Sequence, residues 1–149
     1  MGHYIPILKL QLVRERSEKF DVKQIRSADD AARILYEYLD NEDREHFVVM
    51  LLDTKHKVTG INTVSIGSLD ATIVHPREVF KAAILANASG IIVAHLHPSG
   101  DPTPSPEDIA VTRRLIEAGK VLGIDVLDHL VIGDRRYRSL RADGQLAWS

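Results

Sequence analysis

Two histidines, a serine and an aspartate lie close together in one stretch of the chain, HLHPSGDPTPSPED, which runs from His95 to Asp108. The apolar run GIIVA precedes the histidines and is typical of a short buried strand. Because residues two apart in a strand point to the same side, His95 and His97 should face one pocket while Leu96 faces the core. This geometry lets a metal ion take two nitrogen ligands from the end of one strand.

A turn stiffened by prolines follows the histidines and leads into a helix. Since proline fixes φ and lowers the entropy lost on folding, such a loop can keep one shape without regular structure. Ser105 is expected to cap the helix and Pro106 to occupy its first turn. Asp108 then lies where the helix dipole favours an ionised carboxylate, the form that a divalent cation requires. The turn residues are Pro98, Gly100, Pro102 and Pro104.

Two nitrogens and one carboxylate oxygen leave the fourth position of a tetrahedral zinc ion to water, as in catalytic zinc sites. Zinc lowers the pKa of a bound water from about 15.7 to about 7, so hydroxide becomes available at neutral pH. Such a site needs a separate proton acceptor that is not itself a ligand. Glu45 is the candidate, because it stands at the entrance of the buried strand EHFVVMLLD. Glu42 is the alternative if the preceding helix continues, and one Zn²⁺ per chain is the expected cofactor.

The same residues also fit an interpretation without a metal. Paired histidines at a strand end can be ordinary surface residues, and Ser105 with Asp108 can be a helix cap alone. The other histidines are assigned no chemistry. We expect His75 to cap or line a strand–helix turn and His129 to lie on the polar face of a strand. His3, His46 and His56 should lie on the surface, and His46 should be near enough to Glu45 to contact it.

Strands and helices alternate along the chain, which predicts an α/β protein with a mixed sheet. We expect one domain that covers residues 1–149. The predicted elements are an edge strand over 4–16, a helix over 26–41 with Ser27 as N-cap and Asp30 in the capping-box position, a hairpin over 45–67, a short strand over 70–76, a helix from Pro76 to Asn87, a strand over 90–97, a helix over 105–123 stopped by Gly123, and two strands joined by a Gly-Asp turn over 124–140.

The composition excludes several classes of function. The 149 residues carry 19 lysines and arginines against 21 acidic residues, a net charge of −2, so nothing suggests a nucleic-acid-binding surface. The absence of cysteine excludes disulfides and thiolate metal sites. No apolar run is long enough to cross a bilayer and the first residues lack the layout of a signal peptide, so the cytoplasm is the expected location.

The spacing His95-x-His97, seven residues, Ser105, two residues, Asp108 matches the JAMM signature of MPN-domain zinc metalloproteases. From about Ala28 to its end the chain resembles the bacterial RadC branch of that family, through REHFVVMLLDTKH, VHPREVFKAAILANASGIIVAHLHPSGDPTPSPEDIAVTRRL and LGIDVLDHLVIGD. The resemblance implies an MPN fold, a curved mixed β-sheet flanked by helices and similar to the cytidine deaminase fold. It also implies that His95, His97 and Asp108 ligate zinc, Glu45 acts as general acid/base, and Ser105 hydrogen-bonds the oxyanion.

Two features depart from the RadC pattern. Leu96 stands where RadC proteins usually carry asparagine, and because it should face away from the pocket we expect no effect on zinc. The helix-hairpin-helix region that precedes this domain in full-length RadC proteins is missing, which suggests a short homologue of the mobile-element type or a fragment. This loss weakens the case for DNA repair.

The leading hypothesis is a zinc-dependent metallopeptidase that hydrolyses peptide or isopeptide bonds through a zinc-bound water, with a glutamate as general base. The alternative is a DNA repair or recombination accessory protein in which the zinc is structural or regulatory. A third, an assembly scaffold, ranks last because every ligand is present. The expected partner is a peptide or protein, including one that carries an isopeptide-linked modifier, and a homodimer is compatible with the sequence.

Overall fold

The computed structural model describes residues 1–67 and 74–148. Within these residues the chain is an α/β protein with a mixed sheet flanked by helices, as the sequence predicts. The predicted hairpin, the two helices that follow it and the C-terminal pair of strands are all confirmed. The elements are α1 (Ala28–Tyr38), β1 (His46–Leu52), β2 (Val58–Ile66), α2 (Pro76–Leu85), β3 (Gly90–Leu96), α3 (Pro106–Leu122), β4 (Asp125–Gly133), β5 (Arg136–Ser139) and α4 (Leu140–Asp143).

The sheet has the strand order β2-β1-β3-β4-β5. Strands β3 and β4 are parallel and the other neighbours are antiparallel. A parallel pair needs a crossover connection, and α3 supplies it. In the register of β1 with β3, His46 is opposite Leu96, so the start of β1 lies beside the end of β3. This edge of the sheet is where the residues with predicted chemistry meet.

The two central strands, β1 and β3, are buried on both faces, which explains their continuous apolar sequences. Odd-numbered side chains pack on the face covered by α2 and α3, and even-numbered ones on the face covered by α1. His95 therefore points toward α3, while Leu96 joins the opposite core, as predicted. The first set includes Phe47, Val49, Leu51, Ile91 and Val93, and the second Val48, Met50, Leu52, Ile92 and Ala94.

Of the three helices predicted from the sequence, two have the expected capping residues. Ser105 caps α3, and Gly123 ends it in the left-handed conformation at φ 72°. His75 caps α2, its Nδ1 accepting a hydrogen bond from the backbone N–H of Arg77 at 3.2 Å. The side chain of Ser27 makes no capping bond at α1. The carboxylate of Asp30 turns back to the backbone N–H of residue 26 instead, at 2.8 Å.

The predicted strand over residues 4–16 is wrong. Residues 1–20 have no regular secondary structure, and their apolar side chains are largely exposed. An alternating sequence makes a strand only where a neighbouring strand accepts its backbone hydrogen bonds, and this segment has none among the described residues. The predicted short strand over 70–76 falls mostly outside the described residues, since 70–73 are not among them. Among the helices that are described, none is long and apolar enough to cross a membrane.

Candidate metal centre

The structure brings His95, His97 and Asp108 together at the edge where β3 ends and α3 begins. One potential ligand atom from each residue lies within 4.8 Å of the other two. The two imidazole rings are nearly perpendicular, with centroids 4.7 Å apart and an angle of 87° between their planes. Two nitrogens and a carboxylate oxygen form the donor set that zinc takes in catalytic sites.

His95 presents a buried nitrogen that has no hydrogen-bond partner among the residues described. The residue is 2% exposed, and its Nδ1 lies 2.7 Å from Asp108 Oδ1. Its Nε2 has no hydrogen-bond partner among the described residues, the nearest carboxylate oxygen being Glu45 Oε2 at 3.8 Å. A buried polar atom left unpaired costs free energy. The orphan nitrogen therefore fits a site that takes up a cation, and the residues present fit zinc.

The ring of His97 is oriented by the loop that follows it. Its Nδ1 donates to the backbone carbonyl of Asp101 at 2.9 Å, which leaves Nε2 facing Asp108 Oδ2 at 3.2 Å. A backbone acceptor on one ring nitrogen commonly fixes the tautomer of a metal-binding histidine. The hydrogen bond to Asp108 raises the pKa of His97 above its usual value. His97 therefore presents Nε2 to the carboxylate of Asp108.

Asp108 is both a helix cap and the carboxylate of the cluster. It is fully buried, and its Oδ2 accepts hydrogen bonds from the backbone N–H of Ser105 at 2.7 Å and from its hydroxyl at 2.9 Å. The N–H of Asp108 donates in return to Ser105 Oγ at 3.1 Å, which closes a capping box. Burial opposes ionisation, but hydrogen bonds from the two histidines outweigh it and hold the pKa of Asp108 well below its usual range. The carboxylate of Asp108 is therefore ionised at neutral pH.

The loop between the histidines and α3 is held by more than its prolines. Asp101 Oδ1 accepts from the backbone N–H and the hydroxyl of Thr103, at 3.0 and 2.7 Å. Arg136 Nη2 donates to the carbonyl of Gly100 at 2.9 Å. Gly133 lets the loop approach β4 closely, because a Cβ there would lie 2.7 Å from the carbonyl carbon of Gly100. The β4–β5 hairpin therefore supports the loop from behind.

The two candidate bases occupy different positions. Glu45 lies next to the cluster, with Oε2 3.8 Å from His95 Nε2 and its side chain 34% exposed. Glu42 Oε2 lies 3.4 Å from His46 Nε2 instead. His46 was expected on the surface, but it is buried at 6% exposure, and its Nδ1 donates to the carbonyl of Arg44 at 2.9 Å. It contacts Glu42 and the segment before β1.

His129 is a second correction, and sequence reasoning did not connect it with the site. It was expected on a polar strand face, but it is fully buried, with its ring edge-on to Phe47 at 5.7 Å. Its Nδ1 shares a short hydrogen bond with the hydroxyl of Thr112, and that hydroxyl donates to the carbonyl of Asp108. In DVLDHLVIG, apolar residues near His129 occupy both even and odd positions, a pattern typical of a strand buried on both faces. That pattern could have predicted its burial.

Burial of His129 should make stability depend on pH. Desolvation lowers the pKa of His129 to about 4. In the unfolded chain the pKa of histidine is about 6.5, so above this pH the ring is neutral in both states and its titration does not change the free energy of unfolding. As the pH falls from about 6.5 to about 4, only the unfolded chain takes up the proton, so stability should drop by an amount on the order of 3 kcal/mol. Denaturant unfolding at several pH values, with a chelator present, measures this loss.

The matched variants are His129→Leu and His3→Gln. The first removes the buried ring and should lose less stability over that pH range than the parent does. The second removes an exposed histidine and should follow the parent. Equal pH profiles for the parent and His129→Leu would show that His129 does not carry the effect.

Comparisons with known proteins place the chain in one family. The family model of the RadC-like JAB domain matches residues 25–145. A UPF0758 protein of Desulforamulus reducens is 53% identical over 120 residues, which cover 80% of this chain and 53% of the relative. One of Desulfitobacterium hafniense is 56% identical over 122 residues, 82% of this chain and 54% of the relative. One of Moorella thermoacetica is 57% identical over 117 residues, which cover 78% of this chain and 51% of the relative. The chain thus spans about half the length of the curated relatives it matches.

Proposed function

The chain belongs to the RadC-like JAB domain family, and on that basis we propose that it is a zinc-dependent metallopeptidase that hydrolyses peptide or isopeptide bonds. The observation that carries the proposal is the buried cluster of two histidines and an ionised aspartate beside a half-exposed glutamate. A family name of this kind is compatible with hydrolysis, and the names of the relatives state no activity.

In this proposal His95, His97 and Asp108 hold one zinc ion. When bound, zinc acidifies water and polarises a carbonyl oxygen, which makes hydrolysis feasible at neutral pH. The protein supplies a fixed, largely dry cradle for that ion, since two of the three residues are buried at 2% exposure or less. The capping box and the Asp101 carbonyl keep Asp108 and His97 in place without a ligand present.

Glu45 is the proposed proton carrier. Its carboxylate lies near His95 and is 34% exposed, so it can contact both the metal cluster and incoming water. As general base it takes a proton from the attacking water at a carboxylate oxygen. As general acid it then delivers that proton to the nitrogen of the leaving amine, which breaks the C–N bond. The peptide or isopeptide carbonyl carbon ends as a carboxylate.

Ser105 is the proposed donor to the developing oxyanion. Its oxygen is fixed by the N–H of Asp108 at 3.1 Å, while its own hydrogen is directed to Asp108 Oδ2 at 2.9 Å. Rotation of the hydroxyl redirects that hydrogen to a substrate oxygen without moving Ser105 Oγ. One preorganised donor of this type is commonly worth about 10²–10³ in rate.

Removal and return of the metal test the proposal. Hydrolysis of a quenched fluorescent peptide library should fall to the uncatalysed rate after dialysis against a chelator. One equivalent of Zn²⁺ per chain should restore it, whereas Mg²⁺ should not, because magnesium prefers oxygen ligands in octahedral geometry. Undiminished hydrolysis by chelator-treated protein that contains no zinc would contradict a zinc mechanism.

A further inference from the structure

Strand β2 is an open edge of the sheet. It pairs with β1 on one side, and beyond the single bridge of Gln24 with Lys57 no described strand pairs with the other side. Proteins usually protect such an edge with charged residues, proline or a very short strand. The nine residues VTGINTVSI of β2 contain no charged residue and no proline. The opposite edge, β5, is four residues long and carries two arginines.

The same chain contains a segment suited to pair with such an edge. We call residues 4–13, YIPILKLQLV, the arm. Its sequence alternates in the manner of a strand, and it lies outside residues 25–145, which the family model matches. Seven of its side chains are large, apolar and exposed: Tyr4 105%, Ile5 78%, Ile7 95%, Leu8 77%, Leu10 78%, Leu12 49% and Val13 80%. An exposed group of apolar side chains of this size is typical of an interaction surface.

The contacts that follow the arm along the chain do not bring it to β2 of its own chain. Val58 donates a backbone hydrogen bond to the carbonyl of Lys23 at 2.8 Å, and Gln24 bridges Lys57 in antiparallel register. Continuing that register would lay residues 15–22 along residues 59–66. The arm would then run past Ile66, the end of β2.

We propose that the arm of one copy adds as a strand to the β2 edge of a second copy, and that the exchange is reciprocal. Ten extended residues span about 33 Å, which matches the nine residues of β2. Side chains of the arm would cover the half-buried Ile61 and Val64 and the exposed Ile66, which is 58% exposed. A two-fold exchange of identical segments satisfies both open edges at once and closes the assembly as a dimer.

The exchanged strand would pair with β2, the end of which flanks the backbone of the proposed base Glu45. Directly after β2, the N–H of Gly67 donates to the carbonyl of Glu45 at 2.8 Å. The partner's arm would therefore pair with the strand that flanks the backbone of Glu45. The proposal does not depend on hydrolysis, because it rests on the open edge and the exposed arm alone.

Sedimentation velocity of the full, zinc-loaded chain tests the dimer. The parent, with a chain mass of 16.6 kDa, should sediment as a dimer. Leu10→Lys should weaken the dimer by at least about tenfold, since a charged side chain would have to be buried at the new interface. Val121→Lys is the matched control, because Val121 is 87% exposed on α3, which belongs to neither the arm nor β2, and this variant should remain dimeric. A monomeric parent at high concentration would overturn the proposal.

Crosslinking identifies which strand the arm contacts. The chain has no cysteine, so Lys9→Cys and Asn62→Cys each introduce a single thiol. A bismaleimide added to a mixture of the two variants should give crosslinked heterodimers, and neither variant alone should crosslink efficiently. Efficient crosslinking of Lys9→Cys with itself would mean that two arms pair with each other, and would overturn the proposal. A chain that carries both Lys9→Cys and Asn62→Cys and crosslinks only within one monomer would also overturn the proposal.

Discussion

Glu45→Gln should lower peptide hydrolysis by about 100- to 10,000-fold while leaving the metal site loaded. Glutamine keeps the size of the side chain but cannot accept and return a proton. The three proposed ligands remain intact, and Glu45 Oε2 is 3.8 Å from His95 Nε2, beyond hydrogen-bond distance. Initial rates on the peptide library, together with elemental analysis of the same samples, measure both effects.

Glu42→Gln is the control for this variant. Glu42 contacts His46 and not the cluster, so its replacement should leave the rate within a fewfold of the parent. If Glu45→Gln keeps full turnover and Glu42→Gln loses it, the roles of the two residues must be exchanged. If neither variant loses turnover, neither glutamate is the base.

His97→Ala should abolish stoichiometric zinc binding. Loss of one ligand leaves His95 and Asp108, a donor set that competes poorly with water for zinc. The affinity should fall by more than the 10- to 100-fold that is typical when only a hydrogen-bonding partner of a ligand is removed. Elemental analysis after gel filtration, without chelator, should give one zinc per parent chain and almost none for the variant.

His75→Ala provides the comparison, because it removes a histidine that only caps α2 and should keep one zinc per chain. Circular dichroism of both variants checks that the sheet and helices persist. A parent without zinc under these conditions, or a His97→Ala variant that retains a full equivalent, would remove the basis of the proposed chemistry.

The sequence predicted best where local signals and the three-dimensional environment agree. Helix α3 begins after Ser105 and ends at Gly123 as expected, because the capping serine and the left-handed glycine act within a few residues of the chain. Strand β1 was recognised as buried because both of its faces are apolar in sequence. His95, His97 and Asp108 could be placed in one cluster because strand alternation and the helix start are both local.

Prediction failed where the outcome depends on distant residues. Alternation in residues 4–16 indicates a strand, but the described chain offers that segment no pairing partner. Alternation also assigns a side chain to one face of a strand without showing what covers that face. His129 is buried because α3 supplies Thr112 and β1 supplies Phe47 above it. His46 is buried for a similar reason, beneath a segment that contains Glu42 and Arg44.

The close approach of Gly133 to the loop has a consequence for variant screening. A methyl group at position 133 would meet the backbone of Gly100 at 2.7 and 2.8 Å and that of Asp101 at 3.1 Å, and Asp101 is the residue whose carbonyl orients His97. Even the methyl group of alanine at position 133 would push the metal-binding loop away from β4. Saturation mutagenesis scored by zinc content should therefore find position 133 among the least tolerant, although glycine has no group that could bind a metal or transfer a proton.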